Sequence, residues 1–136
     1  MSIPEKVNLT TGTGWGSGPC IGNTGSVPRL GISNLCLQDG SNGVRFTDFV
    51  TNFPSGLATG STFNKGLMYL RGKALGIEHK KKGVDIVLGP TVGPMGLKAQ
   101  GGRNWESFGS DPYLQGVGGA ATVEGIQDAG VIATVK

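Results

Sequence analysis

The chain has 136 residues, enough for one modest domain and too few for two. Charged residues make up only 15% and glycine numbers 26, which excludes a charge-rich disordered tail and fits a loop-rich piece of a larger globular protein. A net charge of +3 comes from scattered bases with no aromatic interleaving and no RNA-binding signature, and no apolar run nears membrane-spanning length, so neither nucleic acid nor a membrane is an expected partner.

Ser2 and Glu5 have capping-box spacing, which predicts a short helix from Ser2 to about Leu9. The leading MSIPEKVN lacks the apolar core of a signal peptide. Within the same segment, Asn8-Leu9-Thr10 is a glycosylation sequon. Residues 11–27, TGTGWGSGPCIGNTGSV, read as a glycine-rich loop with no regular period. They hold neither GxGxxG nor GxxxxGK[ST] and follow no strand, so a phosphate cradle is rejected. Cys20 and Cys36 are the only cysteines and sit in no CxxC or Cys/His cluster, which leaves two buried thiols or a disulfide. Cysteines and sequon together favour an extracellular parent whose leader lies outside this sequence.

Leu35-Cys36-Leu37 reads as a short buried strand. From Phe63, the apolar residues Leu67, Leu70, Ala74 and Ile77 recur at 3–4 spacing, an amphipathic helix with that face inward, ending near Lys82-Gly83. Its terminal run, His79-Lys80-Lys81-Lys82, reads as a solvated face that suits the helix dipole. Val84 to Leu88 is a strand stopped by Gly89-Pro90. Asp111 as N-cap and Pro112 at the first position open a second long helix, with Leu114, Val117 and Ala121 inward and an end at Gly130. Val131 to Val135 is a third strand.

The order is β-α-β-α-β, an α/β pattern of parallel strands covered by helices. Strand-to-helix loops of roughly twenty residues contrast with very short returns, and loops of that length in a compact unit are usually functional. They lie at the C-terminal ends of the strands, where barrels and open sheets place their sites. Asp39 and Arg45 follow the first strand, Arg103, Asn104, Trp105 and Glu106 the second, and Lys136 tips the third. Asp39-Gly40 alone is an ordinary turn, and Arg103 alone an ordinary ion-pair residue. Three strand tips aiming long polar groups at one rim instead fit a sugar, whose hydroxyls need directional donors and acceptors and whose C–H faces stack on indole. No metal-ligand cluster competes with this reading, and no cofactor is expected.

EKVNLTTGTGW, GNTGSVPRLGI, LCLQDGSNGVR, KGVDIVLGP, GGRNWESFGSDPYL and GIQDAGVIATVK resemble the first domain of the fungal β-glucosidases of glycoside hydrolase family 3, over essentially the whole chain. GGRNWE followed by DPYL is specific on its own. The resemblance implies that residues 1–136 are the N-terminal portion of a (β/α)8 TIM-type barrel, incomplete as a fragment. It implies a parent that is a retaining enzyme removing terminal glucose from cellobiose and related β-glucosides. The nucleophilic aspartate and the acid/base glutamate would lie beyond Lys136, so the chain alone is expected to be inactive. Asp39 and Glu106 would therefore not form the catalytic carboxylate pair, which in retaining enzymes stands about 5–5.5 Å apart.

Position by position, Asp39 matches the carboxylate that grips outer hydroxyls of the terminal glucose, and Arg103 and Lys136 match basic residues on the same ring. Arg45 matches an arginine of the pocket wall, and Trp15 an aromatic of the neighbouring subsite for the leaving sugar or aglycone. Asn104 and Glu106 would brace the loop carrying Arg103, and Cys20 and Cys36 match a disulfide pair. The chain departs from the family at Leu97, where an arginine is usual, at Ala99 for proline, at Phe63 for tryptophan and at Ser41-Asn42 for Pro-Leu. These departures leave the site residues intact. The alternative is a non-catalytic carbohydrate-binding or structural α/β protein on the same fold. A histidine directly after Lys136, followed by a downstream aspartate beside a tryptophan, would favour the enzyme.

Overall fold

The structure is a computed structural model that describes residues 1–93 and 100–136. Leu97 and Ala99, two of the departures noted above, lie outside the described residues. Helix α1 (Ile3–Thr11) starts on the expected capping box: the Ser2 hydroxyl accepts from Glu5 N, and the Glu5 carboxylate accepts from Ser2 N. Strand β1 (Gly22–Asn23) follows inside the stretch read as irregular loop. Two residues are too few to show a period, so this strand left no pattern in the sequence.

Strands β2 (Cys36–Asp39), β3 (Ile86–Leu88) and β4 (Ile132–Ala133) are parallel, with Leu37 beside Ile86, Asp39 beside Leu88 and Val87 beside Ala133. β1 pairs antiparallel to the outer side of β2, giving the order β1-β2-β3-β4. The core lies under this sheet, where Val84, Val87, Ile126 and Val131 pack with Cys20 and Cys36. Those two cysteines are joined as a disulfide.

After β2 the chain passes through the short helix α2 (Gly56–Gly60) to α3 (Lys65–Lys81). The Asn64 side chain caps α3 by accepting from Leu67 N. Helix α4 (Pro112–Asp128) follows β3, with the Asp111 carboxylate accepting from Tyr113 N and Leu114 N as expected. Ala121 of α4 is buried, whereas Leu114 and Val117 are only half-buried.

The inward face of α3 is not the one its apolar spacing predicts. Leu67, Leu70 and Ile77 are exposed, and Met68, Arg71, Gly72, Leu75, Gly76 and His79 face inward. Backbone-to-backbone packing of α3 on α4 decides this. A Cβ on Gly125 would lie 2.3 Å from Tyr69 O, and one on Gly72 would lie 2.5 Å from Thr122 O. Glycines at the crossing let the helices approach to a distance no larger residue permits, and that seam sets the rotation of α3.

The basic run also needs correction. Lys80, Lys81 and Lys82 are exposed, but His79 is fully buried. It lies one helical turn beyond Leu75, on the inward face, and its Nδ1 donates to Leu75 O at 2.8 Å. Burial holds its imidazole below the usual histidine range. A Cβ on Gly40 would lie 2.1 Å from Gly43 O and 2.7 Å from His79 Nε2, which is why the turn after Asp39 requires glycine.

Candidate functional site

The long segments after β2 and β3 meet at the C-terminal end of the sheet and form an open cleft of about 290 Å³. Asp39, Asn42, Arg45, Thr51, Trp105 and Glu106 are among its walls. Asp39 is the last residue of β2, and its carbonyl accepts from Arg45 N at 3.2 Å, closing the turn that follows. The Asp39 carboxylate takes Lys136 Nζ on Oδ1 at 2.5 Å and Arg45 Nη1 on Oδ2 at 3.4 Å. Lys136 is placed from the other side: its N–H donates to Pro90 O and its carbonyl accepts from Val92 N. Asp39, Arg45 and Lys136 are thus brought together from two strand ends separated by β3.

Glu106 is a second, differently used carboxylate. It belongs to a single turn, Asn104–Glu106, and is 8% exposed. Arg103 grips it with both prongs, Nε to Oε1 at 2.7 Å and Nη2 to Oε2 at 2.9 Å. Ser41 and Thr91 hydroxyls each lie 3.3 Å from Oε2. The Arg103 guanidinium holds the Glu106 carboxyl below its ordinary range, against the opposing effect of burial, and Glu106 in turn raises that of Arg103. A carboxylate so held is ionised at neutral pH and has no proton to give. Glu106 therefore braces the loop carrying Arg103, and Ser41 ties that loop to the one carrying Asp39.

Trp105, which the sequence places on the rim, is half-exposed and part of the cleft wall beside Asp39. Two contributors were passed over in the sequence. Ser41 links the two loops as described. Arg71, on the inward face of α3, donates from Nε to Pro54 O at 2.7 Å and from Nη2 to Ser41 O at 2.9 Å. Burial pushes its guanidinium down to about 10, still charged at neutral pH, so a buried cation clamps the cleft loop to the helix beneath it. An arginine between apolar helix positions was the one available signal.

Trp15 does not join the cleft. It is 80% exposed on the glycine-rich loop and lines adjacent grooves instead, one of them with Gln38 and Phe46. Asn8 lies on α1, and its Nδ2 donates to Ser26 O at 2.8 Å. Among the described residues no group of three or more histidine, cysteine or carboxylate side chains is gathered as a metal site, and no helix is long and apolar enough to cross a membrane.

A carboxylate flanked by two cations, with a half-exposed indole in the same cleft, offers acceptors, donors and an apolar face to a polyhydroxyl ligand. On a parallel β-α-β-α-β unit it lies at the C-terminal strand ends, where barrel-type folds place their sites. The family assignment agrees. Residues 24–136 match the Glycosyl hydrolase family 3 N terminal domain, and the chain belongs to that family. Beta-glucosidase 1 of Saccharomycopsis fibuligera is 69% identical over all 136 residues, which span 16% of its length. The structure of a glycoside hydrolase family 3 β-glucosidase from Neurospora crassa superposes on the whole chain with a TM-score of 0.96 at 53% identity, covering 16% of that protein. Beta-glucosidase 3B from Thermotoga neapolitana, solved in complex with glucose, superposes on the whole chain with a TM-score of 0.90 at 33% identity, covering 21% of that protein. The fold is accordingly the N-terminal portion of a family 3 TIM-type barrel.

Proposed function

We propose that residues 1–136 are part of the first barrel domain of a longer retaining β-glucosidase, and that they supply half of its glucose pocket. The observation that carries this reading is the convergence of Asp39, Arg45 and Lys136 from two strand ends of a family 3 fold. In it, Asp39 accepts hydrogen bonds from outer hydroxyls of the terminal glucose. Lys136 and Arg103 donate to the same ring, Arg45 forms the wall, and Trp15 borders the space for the leaving group. The nucleophile and the acid/base belong to other parts of the parent protein. Cellobiose and related β-glucosides are the substrates, since the relatives that match over the whole chain are β-glucosidases.

The parent is proposed to be extracellular. The Cys20–Cys36 disulfide supports this, because such bonds persist in oxidising compartments. The Asn8 sequon fits the same route. A glycan on Nδ2 leaves one N–H, enough to keep the bond to Ser26.

The test is to incubate the full-length parent with an aryl β-glucoside and with cellobiose, following the first-formed anomer by NMR. The reading expects β-glucose to appear first. Formation of α-glucose first would contradict the retaining mechanism, and glucose binding without turnover would favour a non-catalytic carbohydrate-binding protein.

A further inference from the structure

Phenylalanine rarely adopts a left-handed backbone, because its Cβ then crowds the neighbouring carbonyl. Phe46 does so, at φ 52°, and is 74% exposed. Backbone strain and apolar surface in water thus fall on one residue, directly beside Arg45. Strain of this kind persists where the surrounding structure imposes it, and it gathers at ligand sites.

The surroundings here do impose it. Phe46 and Trp15 line a groove of about 200 Å³ floored by Gln38. Gln38 is buried and ties the two flanking loops together: Nε2 donates to Arg45 O at 2.9 Å, and Oε1 accepts from Ile21 N at 3.1 Å. The Cys20–Cys36 disulfide anchors the same loop to β2. The two aromatic residues therefore stand on loops pinned to a common base. Arg45 joins this groove to the cleft: one nitrogen lies 3.4 Å from the Asp39 carboxylate, and its guanidinium carbon lies 5.5 Å from the centre of the Phe46 ring.

We propose that Phe46 is a specificity-determining residue for the leaving group, its ring packing on the second sugar or aryl group of the β-glucoside while Trp15 borders the groove. This rests on the reading of Asp39 and Arg45 as the glucose-holding wall. Stacking there supplies in the complex an apolar contact that the ring lacks within residues 1–136. Phe49 provides the internal control: it too is left-handed, at φ 57°, and 99% exposed, but it lines neither the groove nor the cleft.

The test uses the full-length parent enzyme with Phe46→Asn, since asparagine suits the left-handed backbone and removes only the ring. For cellobiose and an aryl β-glucoside, kcat/KM should fall about tenfold, equivalent to about 1.4 kcal/mol. For methyl β-glucoside, whose leaving group ends short of the groove, the loss should shrink to about twofold. Phe46→Tyr should restore the profile, and Phe49→Asn should leave all three substrates as in the wild type. Equal losses on all three substrates, or no loss on any, would overturn the inference while leaving the glucosidase reading intact. A wild type that hydrolyses no β-glucoside would remove that reading and this inference together.

Discussion

Lys136 Nζ lies 2.5 Å from Asp39 Oδ1, although Asp39 ends β2 and Lys136 follows β4, strands that are not neighbours and have β3 between them. The side chains remain partly open, at 30% and 20% exposure. Ion pairs in such positions contribute about 0–1 kcal/mol to stability, so the fold has little need of this one. Its effect is to hold an acceptor and a donor side by side at the mouth of a cleft, the pairing that the proposed glucose pocket uses.

The disulfide leads to a first prediction. Cys20–Cys36 closes a loop with a sequence separation of 16 and pins the segment bearing Trp15 to β2. On the chain-entropy model a loop of this size contributes about 3 kcal/mol. Cys20→Ser together with Cys36→Ser should lower the unfolding midpoint accordingly and make the glycine-rich loop the first site of proteolysis. Rapid alkylation of both cysteines in the unreduced full-length protein would contradict the pairing.

A second prediction concerns the α3–α4 seam. A Cβ on Gly125 would meet Tyr69 O at 2.3 Å and Lys73 N at 2.6 Å, both backbone atoms of α3 that cannot rotate away. Gly125→Ala should therefore destabilise by about 1–3 kcal/mol despite the better helix propensity of alanine. An unchanged thermal midpoint would mean that the helices are not in backbone contact.

Acid should act in two stages. Burial lowers the pKa of His79 from 6.5, so the unfolded chain takes up a proton that the folded one refuses. The stability tied to neutral His79 is present above 6.5 and is lost as pH falls toward the folded value. The Arg103 guanidinium lowers Glu106 from 4.5, so its contribution is present above 4.5 and is lost as pH falls further. Unfolding midpoints measured against pH should show both declines, with His79→Phe flattening the upper one and Glu106→Gln the lower. A profile that His79→Phe leaves unaltered would refute the first assignment.

Local chemistry made much of this legible. Ser2, Glu5, Asp111 and Pro112 announce helix starts because a cap is satisfied within four residues of itself. Asp39 and Lys136 could be placed on one rim because parallel strands must return to the same end. The failures are non-local. Leu67, Leu70 and Ile77 form a convincing apolar stripe, yet Gly72 and Gly125 turn α3 the other way, and glycine adds nothing to a hydrophobic pattern. His79 looked solvated because its sequence neighbours are lysines, whereas its burial follows from the face it shares with Leu75. Ser41 and Arg71 were invisible because their partners lie 65 and 30 residues away.

Asp39→Asn in the full-length parent tests the central claim, that the polar strand tips grip glucose. The substitution keeps the side-chain shape and the turn held by Asp39 O and Arg45 N, but weakens charge-assisted bonds worth about 1.5–3 kcal/mol each. The account predicts a fall in kcat/KM of at least about tenfold with a nearly unchanged melting temperature. A lowered melting temperature with unaltered kinetics of the folded fraction would show that Asp39 only shapes the turn, and would contradict the account.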